Sequence, residues 1–100
     1  IKITDENGFS KETPDRCSLR MIQTPQAFDY CLVRRAYDKM LSDIRYQQGV
    51  TDDAMVVEAM TNVKVKVVLG DYRNIKITTP EDMILARAFF QEQQEISQKR

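Results

Sequence analysis

The chain has 100 residues, a size typical of one small domain or of a segment of a larger protein. Apolar residues make up 42% and charged residues 30%, which argues against intrinsic disorder. The 15 basic and 15 acidic residues balance, so a general nucleic-acid binder is not expected. No apolar stretch approaches the roughly 20 residues of a membrane span, so no membrane partner is expected either. Histidine is absent, which excludes His-dependent catalysis and His-ligated metal within these residues.

Residues 1–13 predict a β-hairpin. Ile1 and Ile3 alternate with polar residues, and Asn7-Gly8 is a strong hairpin-turn signal. The apolar content of the segment is low, so it is either a plain surface hairpin or an arm that packs on another chain. Because the sequence begins within a strand pattern and lacks an initial Met, we expect an upstream segment to be missing.

Three helices are predicted. The first begins at Thr24-Pro25, carries apolar residues at every fourth position and ends at residues 47–49. The second begins at Thr51 and runs for about two turns. The third begins at Thr79-Pro80-Glu81-Asp82, the strongest helix start in the chain, and is expected to end near residue 95.

Two extended segments lie between the second and third helices. Apolar and polar residues alternate over residues 63–69, which predicts a strand, and residues 75–77 predict a shorter extended piece. The order of hairpin, two helices, two strands and a helix indicates the α/β class. Two short strands do not make a stable sheet, so further strands are expected from upstream residues or a partner chain.

The predicted helix starts suggest an anion site. Helix N-termini present unpaired backbone N–H groups, and a nearby cation would complete a phosphate pocket. Arg16 precedes the first start and Lys76 the third, so one hypothesis is a pocket formed from Arg16, Thr24, Thr51 and Lys76. The alternative is that each threonine only caps its helix and that both cations are solvated. No glycine-rich phosphate loop is present to form a complete nucleotide site.

Other chemistry-bearing residues have ordinary structural explanations. Asp52 and Asp53 lie in a predicted first helical turn, where acids complement the helix dipole, so no metal site is predicted in this chain. Cys17 and Cys31 lack a neighbouring base, so thiol catalysis is not expected. Lys64 and Lys66 fit the solvent-facing side of a strand.

Several motifs together resemble a known family. In order and spacing they are similar to the C-terminal part of the 2-C-methyl-D-erythritol 4-phosphate cytidylyltransferase family, from about Ile1 to Phe90. The matching stretches are Asp15-Arg16, Gln23-Thr24-Pro25-Gln26-Ala27-Phe28, Gly49-Val50-Thr51-Asp52-Asp53-Ala54 and Asn74-Ile75-Lys76-Ile77-Thr78-Thr79-Pro80-Glu81-Asp82.

The resemblance implies a C-terminal fragment of a Rossmann-like nucleotidyltransferase fold with a protruding β-arm. Residues 1–13 would be the arm of a homodimer, residues 14–95 the C-terminal part of the catalytic domain, and residues 96–100 a frayed tail. The implied reaction transfers CMP from CTP to 2-C-methyl-D-erythritol 4-phosphate and releases pyrophosphate. Mg²⁺ would be bound mainly upstream of Ile1, as would the glycine-rich loop that holds CTP, so this chain alone is expected to be inactive.

The resemblance also implies roles for the four candidate residues. Arg16 and Lys76 would position the attacking phosphate, and the hydroxyls of Thr24 and Thr51 would contact the sugar phosphate. The resemblance further implies the non-mevalonate pathway of isoprenoid synthesis, and therefore a cytoplasmic location, or a plastid in a plant or alga. The alternatives are a ribitol-5-phosphate cytidylyltransferase, which shares several of these motifs, and a non-catalytic dimerisation fragment. A second enzyme fused after Arg100 is also possible.

Overall fold

Two short strands and three α-helices form the regular structure of the chain, which a computed structural model describes from residue 1 to residue 100. The strands are β1, Ile3–Thr4, and β2, Ser10–Glu12. The helices are α1, Tyr30–Leu41, α2, Asp53–Met60, and α3, Pro80–Gln98, and two single 3₁₀ turns lie at Arg16–Ser18 and Ile44–Gln47. The chain is therefore α/β in class, with little strand.

Strands β1 and β2 form the predicted hairpin. They pair antiparallel, with Ile3 opposite Glu12 and Thr4 opposite Ser10. The Asp5 carboxylate accepts hydrogen bonds from the N–H groups of Asn7 and Phe9, both at 2.9 Å, which shapes the turn. The hairpin packs on no other helix or strand. Its role as a dimer arm stays a prediction.

Helix α1 begins later than the sequence pattern predicted. The Asp29 side chain accepts a hydrogen bond from Leu32 N at 3.0 Å and caps the helix, so the predicted start at Thr24-Pro25 is wrong. The Thr24–Pro25 peptide bond is cis, and residues 24–28 form a loop. The helix also ends earlier than predicted, at Leu41, and a separate 3₁₀ turn capped by Asp43 follows it.

Helix α2 is capped by Asp52, whereas the sequence pattern predicted Thr51 as the cap. The Asp52 side chain accepts a hydrogen bond from Met55 N at 2.8 Å, which is the standard N-cap contact. A carboxylate is a stronger acceptor for a helical N–H than a hydroxyl, so the adjacent acid takes the cap position.

A small apolar core joins α1 to α2. Its buried side chains are Ala36 and Met40 from α1 and Val56 and Val57 from α2. Each helix therefore buries one stripe against the other, as amphipathic helices do. Partly buried side chains surround this core, namely Phe28, Leu32, Val33, Tyr37, Met60 and Val65.

Residues 63–69 form no strand, so that prediction is wrong. Residues 64–70 neither donate nor accept a backbone hydrogen bond, and residues 75–77 also lie outside any strand. A strand requires a neighbouring strand to pair with its N–H and C=O groups. The alternating pattern is present, but no second strand lies beside it.

Helix α3 begins as predicted, with Thr79 as N-cap, Pro80 in the first turn and a complete capping box formed by Thr79 and Asp82. The helix continues to Gln98, so the end predicted near residue 95 is wrong, and most of the tail is helical. No residue of α3 is buried, and the helix packs on no other helix or strand. None of the helices combines the length and apolarity needed to cross a membrane.

Candidate functional site

A four-residue segment, Gln23 to Gln26, connects two distant parts of the chain. At its first end the Gln23 side-chain amide donates hydrogen bonds to the carbonyl oxygens of Asp71, at 2.7 Å, and Asn74, at 3.0 Å. The Asn74 side-chain amide returns a hydrogen bond to the Thr24 carbonyl at 2.7 Å. Three side-chain hydrogen bonds thus hold the Gln23–Gln26 segment against residues 71–74.

The 71–74 turn is shaped by its own polar contacts. The Asp71 carboxylate accepts hydrogen bonds from Arg73 N, at 2.8 Å, and from the Arg73 guanidinium, at 2.8 and 3.1 Å. The Arg73 side chain and backbone N–H together lower the pKa of Asp71 to about 2. The ionised carboxylate therefore fixes the turn and presents the two carbonyl oxygens that Gln23 binds.

The second end of the segment is bound to the start of α2. Gln26 donates a hydrogen bond from Nε2 to Asp52 Oδ2, at 3.0 Å, and accepts one at Oε1 from Ala54 N, at 3.1 Å. Both contacts are partly shielded from water. The Gln26 amide and the Met55 N–H lower the pKa of Asp52, so this carboxylate is ionised near neutral pH.

These contacts bring together the segments that carry three of the four predicted site residues. Thr24 lies within the Gln23–Gln26 segment, and Thr51 immediately precedes Asp52. Lys76 follows Asn74 by two residues, so their Cα atoms are separated by no more than about 7 Å. All three side chains are exposed.

The predicted capping roles of Thr24 and Thr51 are wrong. The caps of α1 and α2 are Asp29 and Asp52, so neither threonine hydroxyl is used by a helix N–H. Thr24 makes no side-chain hydrogen bond, and Thr51 makes only a weak one to the Met55 sulfur at 3.6 Å. Both hydroxyls are therefore available to a ligand.

The backbone at the start of α2 is less available than the sequence pattern suggested. Ala54 N donates to Gln26 and Met55 N to Asp52, so two of the first N–H groups of the helix already have acceptors. An anion bound here would depend on cationic side chains and hydroxyls more than on the helix N-terminus.

Arg16 lies apart from the other three residues in the hydrogen-bond pattern. It is exposed and begins the 3₁₀ turn that Asp15 caps through a contact with Cys17 N at 3.0 Å. The hydrogen bonds of this turn are all local, and none joins it to residues 23–26, 51–54 or 71–76. Neither Arg16 nor Lys76 forms an ion pair.

The residues of this chain do not fit a magnesium site. No three cysteine, aspartate or glutamate side chains converge. Asp52 is engaged by Gln26 and Met55, and Asp53 accepts a hydrogen bond from the Tyr37 hydroxyl, which raises the pKa of Tyr37. Mg²⁺ requires several oxygen ligands around one point, and these carboxylates are directed to protein donors.

Sequence reasoning missed the three amide side chains that assemble the site. Gln23, Gln26 and Asn74 each lie within two residues of a predicted site residue. Their presence in the quoted motifs was the available signal, because a carboxamide side chain can both donate and accept hydrogen bonds. Their partners lie 26 to 51 residues away and could not be deduced from spacing.

Comparison with known proteins shows the family to which the chain is similar. The model of the family "IspD: 2-C-methyl-D-erythritol 4-phosphate cytidylyltransferase" matches residues 1–92. The chain belongs to this family. The match includes the hairpin, the Gln23–Gln26 segment, helices α1 and α2 and most of α3.

Individual members of the IspD family are similar to this chain in sequence. The chain is 48% identical over 96 residues to the 2-C-methyl-D-erythritol 4-phosphate cytidylyltransferase of Lachnoclostridium phytofermentans, with 95% of this chain and 40% of the relative covered. It is 52% identical over 87 residues to the enzyme of the same name from Geobacter metallireducens, with 87% of this chain and 36% of that relative covered. The chain thus spans about two fifths of the length of these relatives.

A solved structure shows the same fold. The crystal structure of 4-diphosphocytidyl-2C-methyl-D-erythritol synthase from Anaerococcus prevotii superimposes with a TM-score of 0.80 at 46% identity. The match covers 91% of this chain and 39% of that protein. The fold described here therefore corresponds to about two fifths of that structure.

Proposed function

We propose that this chain is part of an enzyme that transfers CMP from CTP to 2-C-methyl-D-erythritol 4-phosphate and releases pyrophosphate. The observation that carries the proposal is the family match over residues 1–92. The exposed Thr24, Thr51 and Lys76, on segments tied together by side-chain amides, support a phosphate-binding role for this part of the protein.

The proposed mechanism is in-line attack by a phosphate oxygen of the sugar phosphate on the α-phosphorus of CTP. Two anions must approach each other, so each nearby cation lowers the repulsion in the transition state. We assign Lys76 and Arg16 to position and neutralise the attacking phosphate, and the Thr24 and Thr51 hydroxyls to hold the sugar phosphate. Mg²⁺ is proposed as the cofactor, with ligands outside these 100 residues.

We also propose a homodimer in which the hairpin of residues 1–13 acts as the arm, and a cytoplasmic location. The hairpin has exposed apolar side chains at Ile1, 82% exposed, and Phe9, 72% exposed. It packs on no helix of its own chain, so a partner surface would remove this apolar area from water.

The cation roles predict the effect of two substitutions in the complete enzyme. Arg16→Ala or Lys76→Ala is expected to lower kcat/KM about 30- to 900-fold, equivalent to about 2–4 kcal/mol of transition-state stabilisation. Pyrophosphate release from CTP and the sugar phosphate measures this, with exposed Lys99→Ala as the matched control. A loss below tenfold in either variant would argue against its role.

The same assay separates the proposed substrate from ribitol 5-phosphate. The enzyme is expected to prefer 2-C-methyl-D-erythritol 4-phosphate, and a preference for ribitol 5-phosphate would reject the proposed substrate. Activity with neither compound would reject the proposed function.

A further inference from the structure

We propose that Gln26 is a positioning residue that fixes the Gln23–Gln26 segment to the start of α2, and so holds Thr24 and Thr51 in one arrangement for the sugar phosphate. This inference rests on the proposed function. Gln26 is not assigned any contact with substrate.

The chemistry of the Gln26 side chain fits this role. A carboxamide has a donor and an acceptor on the same carbon, and here both are used on the same helix turn. Nε2 donates to Asp52 Oδ2 at 3.0 Å while Oε1 accepts from Ala54 N at 3.1 Å. Two contacts to one turn fix orientation as well as distance, because rotation about either bond breaks the other.

Nothing in the backbone replaces these contacts. No backbone hydrogen bond joins residues 23–28 to α2. The packing of α1 on α2 depends instead on Ala36, Met40, Val56 and Val57. Removing the Gln26 amide is therefore expected to release the Thr24 loop from α2 while leaving the helix pair intact.

Gln26 also controls a negative charge beside Thr51. Asp52 Oδ1 is held by Met55 N at 2.8 Å, and Oδ2 is held by Gln26. Without the amide donor, Oδ2 of an ionised carboxylate lacks a protein partner next to a proposed phosphate contact. Near Asp52, Asp53 and Tyr37 are hydrogen-bonded to each other.

The decisive variant is Gln26→Glu in the complete enzyme. The change preserves shape and the acceptor for Ala54 N, but it replaces the amide donor with a carboxylate that faces Asp52. At pH 8 we expect KM for the sugar phosphate to rise about tenfold, the effect of losing one hydrogen bond to a charged group, with KM for CTP within about twofold of wild type.

Lowering the pH provides a signature that a merely structural role would not give. The neighbouring Asp52 charge disfavours ionisation of the introduced glutamate, so the glutamate takes up a proton as the pH falls towards about 5. The protonated acid can again donate to Asp52, and the ratio of mutant to wild-type KM is expected to return towards one. Gln94→Glu, on exposed α3, is the matched control and should keep wild-type KM at every pH.

A second variant tests the proposal if Gln26→Glu does not fold. Gln26→Met keeps the length and removes both hydrogen bonds, so it should raise KM for the sugar phosphate without recovery at low pH. Wild-type KM in Gln26→Met, equal increases for both substrates, or a loss in kcat alone would overturn the positioning role. A wild-type enzyme that releases no pyrophosphate would reject the proposed function instead.

Discussion

Individual amide side chains determine how the candidate site is assembled. Gln23, Gln26 and Asn74 together make five hydrogen bonds to residues at least 26 positions away. Gly70 is part of this arrangement, because a Cβ at that position would overlap the Gln23 side-chain oxygen. Its φ angle lies outside the left-handed region, so an added Cβ is opposed by the Gln23 side chain, which would have to move, and not by the backbone conformation.

Gly70→Ala should therefore act through Gln23. The added methyl displaces the Gln23 amide and weakens its two hydrogen bonds, so we expect the free energy of unfolding of the complete enzyme to fall by about 1–2 kcal/mol. In a Gln23→Ala background the collision is gone, and the same substitution should cost much less. Chemical denaturation of the four proteins of this cycle measures the coupling, and equal costs in both backgrounds would contradict it.

At the scale of elements, the helices differ in what stabilises them. Helices α1 and α2 are stabilised by mutual burial, with Val57 fully buried between them. Helix α3 buries no residue and depends on local contacts at its start. The Asp82 carboxylate accepts hydrogen bonds from Thr78 N, at 2.9 Å, and Thr79 N, at 2.8 Å, and these contacts lower its pKa.

The capping box predicts a pH dependence for α3. Because the pKa of Asp82 is lower in the helix than in the unfolded chain, its stabilising effect is complete above about pH 4, the ordinary carboxyl range, and is lost as the pH falls through the folded value. In a peptide of residues 74–100, circular dichroism should show helix content decreasing on acidification. An Asp82→Asn peptide contains the same glutamates and should begin with less helix and lose less; parallel titration curves would contradict the role of Asp82.

At the scale of the whole molecule, the chain is expanded. Its radius of gyration is 18.7 Å, whereas about 13 Å is expected for a compact domain of 100 residues. Only four side chains are buried, and apolar residues such as Val68, at 77%, and Leu69, at 101%, are exposed. Val65 packs against the core of the helix pair, and the Gln23 and Asn74 side chains hold residues 71–74 to the loop that precedes α1.

This architecture predicts that the 100-residue chain alone releases no pyrophosphate from CTP, Mg²⁺ and 2-C-methyl-D-erythritol 4-phosphate. Without the rest of the enzyme, these few side-chain hydrogen bonds are too weak to hold three segments in one catalytic arrangement, and the family resemblance places the CTP-binding loop outside these residues. The complete enzyme is the positive control. Release above a blank, with contamination by complete enzyme excluded, would show a nucleotide site within this chain.

The local sequence determined the features in which the interacting residues lie only a few positions apart. The start of α3 at Thr79-Pro80 was predicted correctly, and its capping box requires only Thr79 and Asp82, three positions apart. The hairpin turn at Asn7-Gly8 is local in the same sense, and Gly8 has the expected positive φ of 83°. The ordered motifs also identified the family that the comparison confirmed.

Tertiary structure decided the features that depend on distant partners. Thr24 and Asp29 are both suitable N-caps, and only the folded loop, held by Asn74, leaves Asp29 as the cap of α1. The alternation over residues 63–69 suits a strand, but a strand exists only where another segment supplies hydrogen bonds. The candidate site residues were proposed from local motifs, whereas the contact between the segments that carry Thr24, Thr51 and Lys76 depends on amide hydrogen bonds across 26 to 51 residues, which no local periodicity encodes.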